Sequence, residues 1–286
     1  KAYTHSNSSA TVDGSSYFQN MYVFFTAPES GKVTLTLSKE AGKGDSYFDD
    51  VRVVENDSHN ITTNDKGEVV RFEQDFETNV QGIYPFVVGG IEGVEDNRIH
   101  LSERHDKYTQ AGWDVKLMDD VLDGDWSVKI NGLTQRSKLA YQTIPQNFRF
   151  EAGKVYNVEF DYLAGNAAYQ MIVGDGNSYS APTSYLAAAT GDEAQHVSMQ
   201  VIGSGTGQTW IGLYENGSLA GSGSMGQTDF VLDNLTITED ATAVTATVEK
   251  TELYKGETAQ ILGQNLDQIT FTSSDDSVMT VDTENH

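Results

Sequence analysis

The chain has no cysteine among its 286 residues. Disulfides and thiolate metal sites are therefore excluded, although domains of this size fold without staples and a secreted bacterial origin stays compatible. No stretch approaches the ~20 consecutive apolar residues of a membrane-spanning helix, so no membrane insertion is expected. Basic residues are few: 18 Lys and Arg face 42 Asp and Glu, for a formal charge of −24. Such a surface repels nucleic acid and anionic lipid and favours cations and neutral ligands, with plain solubility as the simpler reading. Histidine is also scarce, no His-x-x-x-His pair occurs, and no nucleophile elbow is found. The chain opens without a signal-like segment or an initiator Met and reads as a cut through a longer, modular protein.

Helical periodicity is nearly absent, while glycine is abundant at 27 residues. That combination favours many short strands joined by turns. One strand pattern occurs twice. Tyr47-Phe-Asp-Asp-Val-Arg-Val-Val-Glu55 matches Asp229-Phe-Val-Leu-Asp-Asn-Leu-Thr-Ile-Thr-Glu239, and the match extends upstream from Phe25–Leu37 to Val201–Leu213. Strands are expected at Met21 to Phe25, Lys32 to Leu37 and Tyr47 to Val54. A second set is expected at Ser127 to Leu133, Leu139 to Ile144, Lys154 to Ala164, around Tyr169–Val173 and Val197–Val201, and from Phe230 to Ile237. Lys154 to Ala164 alternates with period two, placing Tyr156, Val158, Phe160 and Tyr162 on one face. The expected organisation is the C-terminal part of a β-sandwich module over 1–57, a polar linker over 58–70, a complete sandwich over 71–240 and a partial sandwich over 241–286. The fold class is all-β: jelly-roll β-sandwich modules in tandem.

The order Gln74-Asp-Phe-Glu77, Gly124-Asp-Trp-Ser-Val-Lys-Ile130, Tyr141-Gln142, Glu151-Ala-Gly-Lys-Val-Tyr156 and Leu232-Asp-Asn-Leu235 resembles the galactose-binding-like sandwiches, including carbohydrate-binding module families 4 and 9. Phe76–Val88, Asp96–Glu103 and Tyr141–Gly153 are similar to the C-terminal accessory modules of endo-α-N-acetylgalactosaminidases, glycoside hydrolase family 101. Gly256-Glu-Thr and Ser273-Ser-Asp-Asp-Ser-Val278 resemble bacterial Ig-like group 2 repeats, so the tail is expected to begin an Ig-like sandwich. The resemblance implies a non-catalytic, carbohydrate-binding part of a secreted or cell-surface bacterial enzyme acting on mucin-type O-glycans. Its implied partners are those or other neutral glycans and the catalytic domain of the same parent polypeptide. No counterpart of that catalytic barrel is found. A structural spacer or adhesin segment without sugar affinity is the alternative.

Two constellations could carry function. In the closing strand, Val231, Asp233, Leu235 and Ile237 share one alternation phase, which the apolar members mark as inward, and Asp49, Val51 and Val53 follow the same rule. An inward carboxylate is costly unless it is paired or metal-bound. Asp75 and Glu77 lie two apart on the opening strand. In the sandwiches that this chain resembles, a structural calcium ties the first and last strands, which implies Asp75, Glu77 and Asp233 as ligands. Alternatively, Asp233 accepts backbone N–H bonds. Sugar binding calls for aromatic faces and hydroxyl-bonding side chains. The long loop Glu92–Asp120 offers Asn97, Arg98, Arg104, His105, Tyr108 and Trp113, unless Tyr108 and Trp113 fold back to plug the sandwich. Tyr179 and Tyr185 sit in a second such loop. Trp126 and Trp210 have apolar neighbours and are expected in the core.

Overall fold

Alternating apolar residues in the long strands decide how the chain folds, because a period of two gives each strand one face to bury. The computed structural model describes residues 4–6, 23–25, 30–37, 45, 47–49, 51–53, 62–65, 67–78, 82–88, 99–103, 121–130, 138–145, 147–165, 168–180, 186–187, 193–217 and 229–282. In chain order the strands are β1 (Thr4–Ser6), β2 (Val23–Phe25), β3 (Thr62–Thr63), β4 (Val69–Gln74), β5 (Val87–Val88), β6 (Ile99–Glu103), β7 (Trp126–Ile130) and β8 (Lys138–Gln142). They continue with β9 (Val155–Ala164), β10 (Tyr169–Asp175), β11 (Ser178–Tyr179), β12 (Gln195–Ile202), β13 (Thr209–Glu215), β14 (Phe230–Glu239), β15 (Thr245–Val248) and β16 (Ile261–Gln264).

Two antiparallel sheets face one another. One runs β11-β10-β13-β8-β5; the other runs β12-β9-β14-β4-β3. Strand β14 is the hub of the larger sheet. It pairs with β9 along one side, with β7 through Phe230–Leu232 on the other, and then with β4 from Leu235 onward; β6 extends β7. The core between the sheets takes Phe72 from β4, Val128 and Ile130 from β7, and Tyr156, Val158, Phe160 and Tyr162 from β9. Tyr169, Ile211, Leu213, Phe230, Leu235 and Ile237 complete it from β10, β13 and β14. Phe148, Phe150 and Tyr156 meet edge-to-face at one end, with centroids 4.8–5.8 Å apart. The described residues therefore form an all-β sandwich of jelly-roll type, as the strand pattern implied.

Several expectations need correction. Lys32–Leu37 and the described residues of Tyr47–Val53 form no strand, and Val33, Leu35, Leu37, Tyr47, Phe48, Val51 and Val53 are exposed. Asp49 is exposed as well, so it is not an inward acid. Alternation alone does not make a strand where no sheet edge pairs with it. In this region the described pairing is the short β1–β2 ladder. Within the stretch expected as a linker, β3 pairs with β4 as an edge of the larger sheet. In the tail, the described strands are the β15–β16 hairpin.

Phe150 is fully buried and touches two aromatic rings of the core. Phe150→Ala is expected to lower unfolding stability by about 3–5 kcal/mol. Urea titration checks this; a loss below ~1 kcal/mol contradicts the packing described.

Candidate functional site

The closing strand contains a break that its sequence conceals. Asn234 takes a left-handed backbone conformation, φ 50°, and the ladder to β9 shifts register between Asp233 and Thr236. This β-bulge reverses the alternation. Leu235 and Ile237 point into the core, whereas Val231 packs with Leu163 and Leu122 in a separate cluster on the outer face of the larger sheet. Asp233 shares that outer phase, which corrects the inward expectation. It is nonetheless fully buried, because the turn 121–125 lies over it. Its Oδ2 accepts the Ser127 hydroxyl at 2.5 Å and the Asp123 N–H at 3.2 Å, and its Oδ1 accepts the Asn234 N–H at 2.8 Å.

Glu77 holds the other end of the same turn. Its carboxylate accepts the Asp125 N–H at 2.9 Å and the Trp126 N–H at 3.1 Å. The carboxylate sits against Gly124, where φ is 54° and a β-carbon would collide with it, so the sequence needs glycine there. Asp75 is exposed and accepts the N–H of Glu77 at 3.1 Å. Two of the three expected calcium ligands thus converge on one turn, yet each binds backbone amides. Among the described residues, no group of three or more Asp, Glu or His side chains is gathered closely enough to hold a metal. The ligand set Asp75, Glu77 and Asp233 does not fit a calcium ion in this arrangement. Asp123 and Asp125 lie exposed in the turn.

The six loop residues expected to meet sugar, Asn97, Arg98, Arg104, His105, Tyr108 and Trp113, lie outside the described residues, as does Tyr185. Tyr179 is described, and it belongs to a different aromatic group. Trp210 is buried as expected, in a cluster separate from the main core. Ile211 and Leu213 take the inward phase of β13, so Trp210 and Tyr214 fall on the outer face of the five-stranded sheet. There Trp210, Leu139 and Ile172 form a cluster bordered by the half-buried Tyr179 and Tyr214. The indole lies over Gly174 of the adjacent strand, where a β-carbon would strike its ring. Its N–H donates to the Gly176 carbonyl at 2.8 Å. The Tyr179 ring stands 5.8 Å from Trp210 and 6.1 Å from Tyr214.

Two amides complete this face. Gln170 pairs across the ladder with Tyr214, and Gln142 with Gly212. Both side chains are buried, at 1% and 6% exposure, and the Oε1 atom of each has no hydrogen-bond partner. A buried acceptor left unpaired costs about 1–3 kcal/mol. Trp210 itself is 1% exposed, so the ring area open to a ligand on this face belongs to the half-buried Tyr179 and Tyr214. Sequence reading missed this face because Trp210 and Ile211 are adjacent apolar residues, and only the ladder register shows which of them faces outward.

The family model described as galactose-binding domain-like matches residues 49–232, and the chain belongs to that family. The model of endo-α-N-acetylgalactosaminidase domain 5 matches residues 1–48. A putative endo-α-N-acetylgalactosaminidase of Renibacterium salmoninarum is 30% identical over 223 residues, which are 77% of this chain and 14% of that protein. The chain thus spans about one seventh of that relative's length. These matches bear out the resemblance to accessory domains of a glycoside hydrolase family 101 enzyme. Among solved structures, the CBM22-1 xylan-binding domain of Paenibacillus barcinonensis Xyn10C aligns with a TM-score of 0.41 at 9% identity, covering 60% of this chain and 95% of that domain. The CBM22-2 domain of the same protein gives 0.37 at 13% identity, with coverage of 59% and 98%.

Burial pushes the Asp233 carboxyl up to about 6, against the opposing hydrogen bonds from Ser127, Asn234 and Asp123. In the unfolded chain it loses its proton near 3.9. Between these values the native state binds more protons, so this group lowers stability as pH rises from about 4 to about 6 and adds no further slope above. Asp233→Asn is expected to flatten that segment of the stability–pH curve; parallel curves for the two proteins refute the assignment. Since amides occupy Glu77 and Asp233, chelation is expected to leave Tm unchanged. A fall in Tm that calcium reverses would restore the metal reading.

Proposed function

We propose that this chain is a carbohydrate-binding accessory region of a secreted bacterial endo-α-N-acetylgalactosaminidase. It holds the catalytic domain of the same polypeptide against mucin-type O-glycans, whose Gal-β1,3-GalNAc unit the parent enzyme releases from Ser or Thr. The observation that supports this reading best is the match of residues 49–232 to the galactose-binding domain-like family, together with the half-buried Tyr179 and Tyr214 rings on the outer face of the five-stranded sheet. The C–H faces of a sugar stack on such rings. The strongly acidic chain, at −24, fits a neutral rather than an anionic glycan. In this reading the loop residues Asn97, Arg98, Arg104, His105, Tyr108 and Trp113 form a second contact region.

A glycan array probed with the full chain tests the proposal, with mucin-type core disaccharides expected among the bound spots. An array without any bound glycan favours the spacer alternative. Tyr179→Ala sharpens the test. It removes a half-buried ring at the border of the face while Trp210, Leu139 and Ile172 remain, and it is expected to weaken binding about tenfold or more. Unchanged affinity in this variant moves the site away from the sheet face, towards the loop, which Trp113→Ala then probes.

A further inference from the structure

Past Glu239 the chain does not drift away from the sandwich but folds back onto it. Two turns at one end of the sandwich receive the β15–β16 hairpin. At the turn before β9, Gly153 has φ 74°, and a β-carbon there would lie 2.5 Å from the Cα of Gly263 and 2.8 Å from its nitrogen. At the β12–β13 turn, a β-carbon on Gly205 would strike the Val248 carbonyl. The two turns are themselves joined, since Ala152 bridges to Gly203 and the Gly153 N–H donates to the Gly203 carbonyl at 2.7 Å. Backbone rests on backbone at both points, which only glycine permits.

Side-chain amides then close the seam. Gln264 is 8% exposed, and its Oε1 accepts the Val155 N–H at 2.7 Å while its Nε2 donates to the Asp240 carbonyl at 3.1 Å. The Asp240 N–H in turn donates to the Val155 carbonyl at 2.9 Å. The glutamine amide therefore stands in for a peptide group where the β9–β14 ladder ends, meeting one donor and one acceptor that a sheet end otherwise leaves open. Thr245 Oγ1 donates to the Gly153 carbonyl. Asn265 Nδ2 donates to the carbonyls of Ala243 at 2.7 Å and Ala241 at 3.1 Å, pinning the connecting segment.

We infer that the turns at Gly153 and Gly205 are a docking surface for the chain's own β15–β16 hairpin, and that the seam fixes the 241–282 tail to the sandwich as one rigid arm. The tail is then not a flexible spacer. Whatever follows it is held at a set direction from the sugar-binding face, which limits the orientations the sandwich can take up. A loose hairpin tethered only by its connecting segment would not need an ordered amide in the ladder or glycine at both contacts.

The absence of native cysteine makes the experiment direct. Nitroxide labels are attached to the full chain at Ser198→Cys and Ser274→Cys, both exposed positions, one on the sandwich and one in the tail. Pulsed electron–electron distance measurement is expected to give one narrow distribution. A broad distribution in this otherwise unchanged chain overturns the inference. Gln264→Ala and, separately, Gly153→Val are expected to broaden it, and Gln264→Ala is expected to speed exchange of the Val155 amide by about tenfold or more. Tryptophan emission, to which Trp210 contributes from its separate cluster with Leu139 and Ile172, reports that the sandwich stays folded in each variant. An intact sandwich with unchanged distance width and unchanged Val155 exchange also overturns it.

Discussion

The bulge at Asn234 is the constraint on which the rest of this molecule turns. Strand β14 must serve two masters along its length. Its first half pairs with β7 and its second half with β4, while β9 runs along the other side throughout. A regular ten-residue strand would keep Asp233 in phase with Leu235 and drive a carboxylate into the aromatic core. The left-handed residue resets the phase, so Phe230 and Leu232 before it and Leu235 and Ile237 after it all reach the same interior. Asp233 is moved to the outside, where hydrogen bonds to Ser127 and the Asp123 amide fix the turn entering β7. Asparagine suits this position because its short polar side chain tolerates the left-handed region and bonds locally. Here its Nδ2 donates to Asp161 on β9 at 3.0 Å.

The two acids that hold that turn show how backbone amides can stand in for a cation. A calcium ion and a row of backbone amides meet the same need, namely positive partners for a carboxylate. Where the chain supplies amides at 2.9–3.2 Å from Glu77 and Asp233, the demand is met by the protein itself. The same logic governs Gln264, whose side chain completes a backbone ladder. In each case a polar side chain satisfies main-chain groups that the fold would otherwise strand. The buried oxygens of Gln142 and Gln170, like those of Tyr141 and Asn147, find no such partner.

Much of the fold was legible because the relevant signal is local. The alternation of Tyr156, Val158, Phe160 and Tyr162 names the buried face of β9 without any partner in view, and the structure keeps it. What failed depends on pairing. Lys32–Leu37 alternates equally well, yet its apolar side chains are exposed, since a strand exists only against a neighbour. Thr62–Thr63 looks like linker and becomes an edge strand because β4 is beside it. The candidate site was less legible still. Asp233 and Glu77 were singled out as acids, but their partners are amides of a turn nearly fifty residues past Glu77 in the chain, and Asp75 bonds only the nearby Glu77 N–H among the contacts described. Trp210 was rightly expected to be buried, but the sequence does not say that its cluster lies on the outer side of the five-stranded sheet. Which of two adjacent apolar residues faces outward is set by register, and register is a property of two strands.

The same dependence on register explains why the aromatic outer face of the five-stranded sheet and the end that holds the hairpin can be different surfaces of one fold. The five-stranded sheet carries its aromatic and amide residues outward, on strands whose inward residues are already committed to the core. The larger sheet uses its outer face for the Asp233 turn and for the buried pair Lys129–Asp229, at 3.0 Å. The end at which β9 begins and β14 finishes receives the hairpin. Each of these surfaces draws on side chains of one alternation phase or on turn backbone, so a change on one need not disturb the packing beneath another. A module built this way can present a ligand face in one direction and a fixed mechanical joint in another, which is what an accessory unit within a long hydrolase requires.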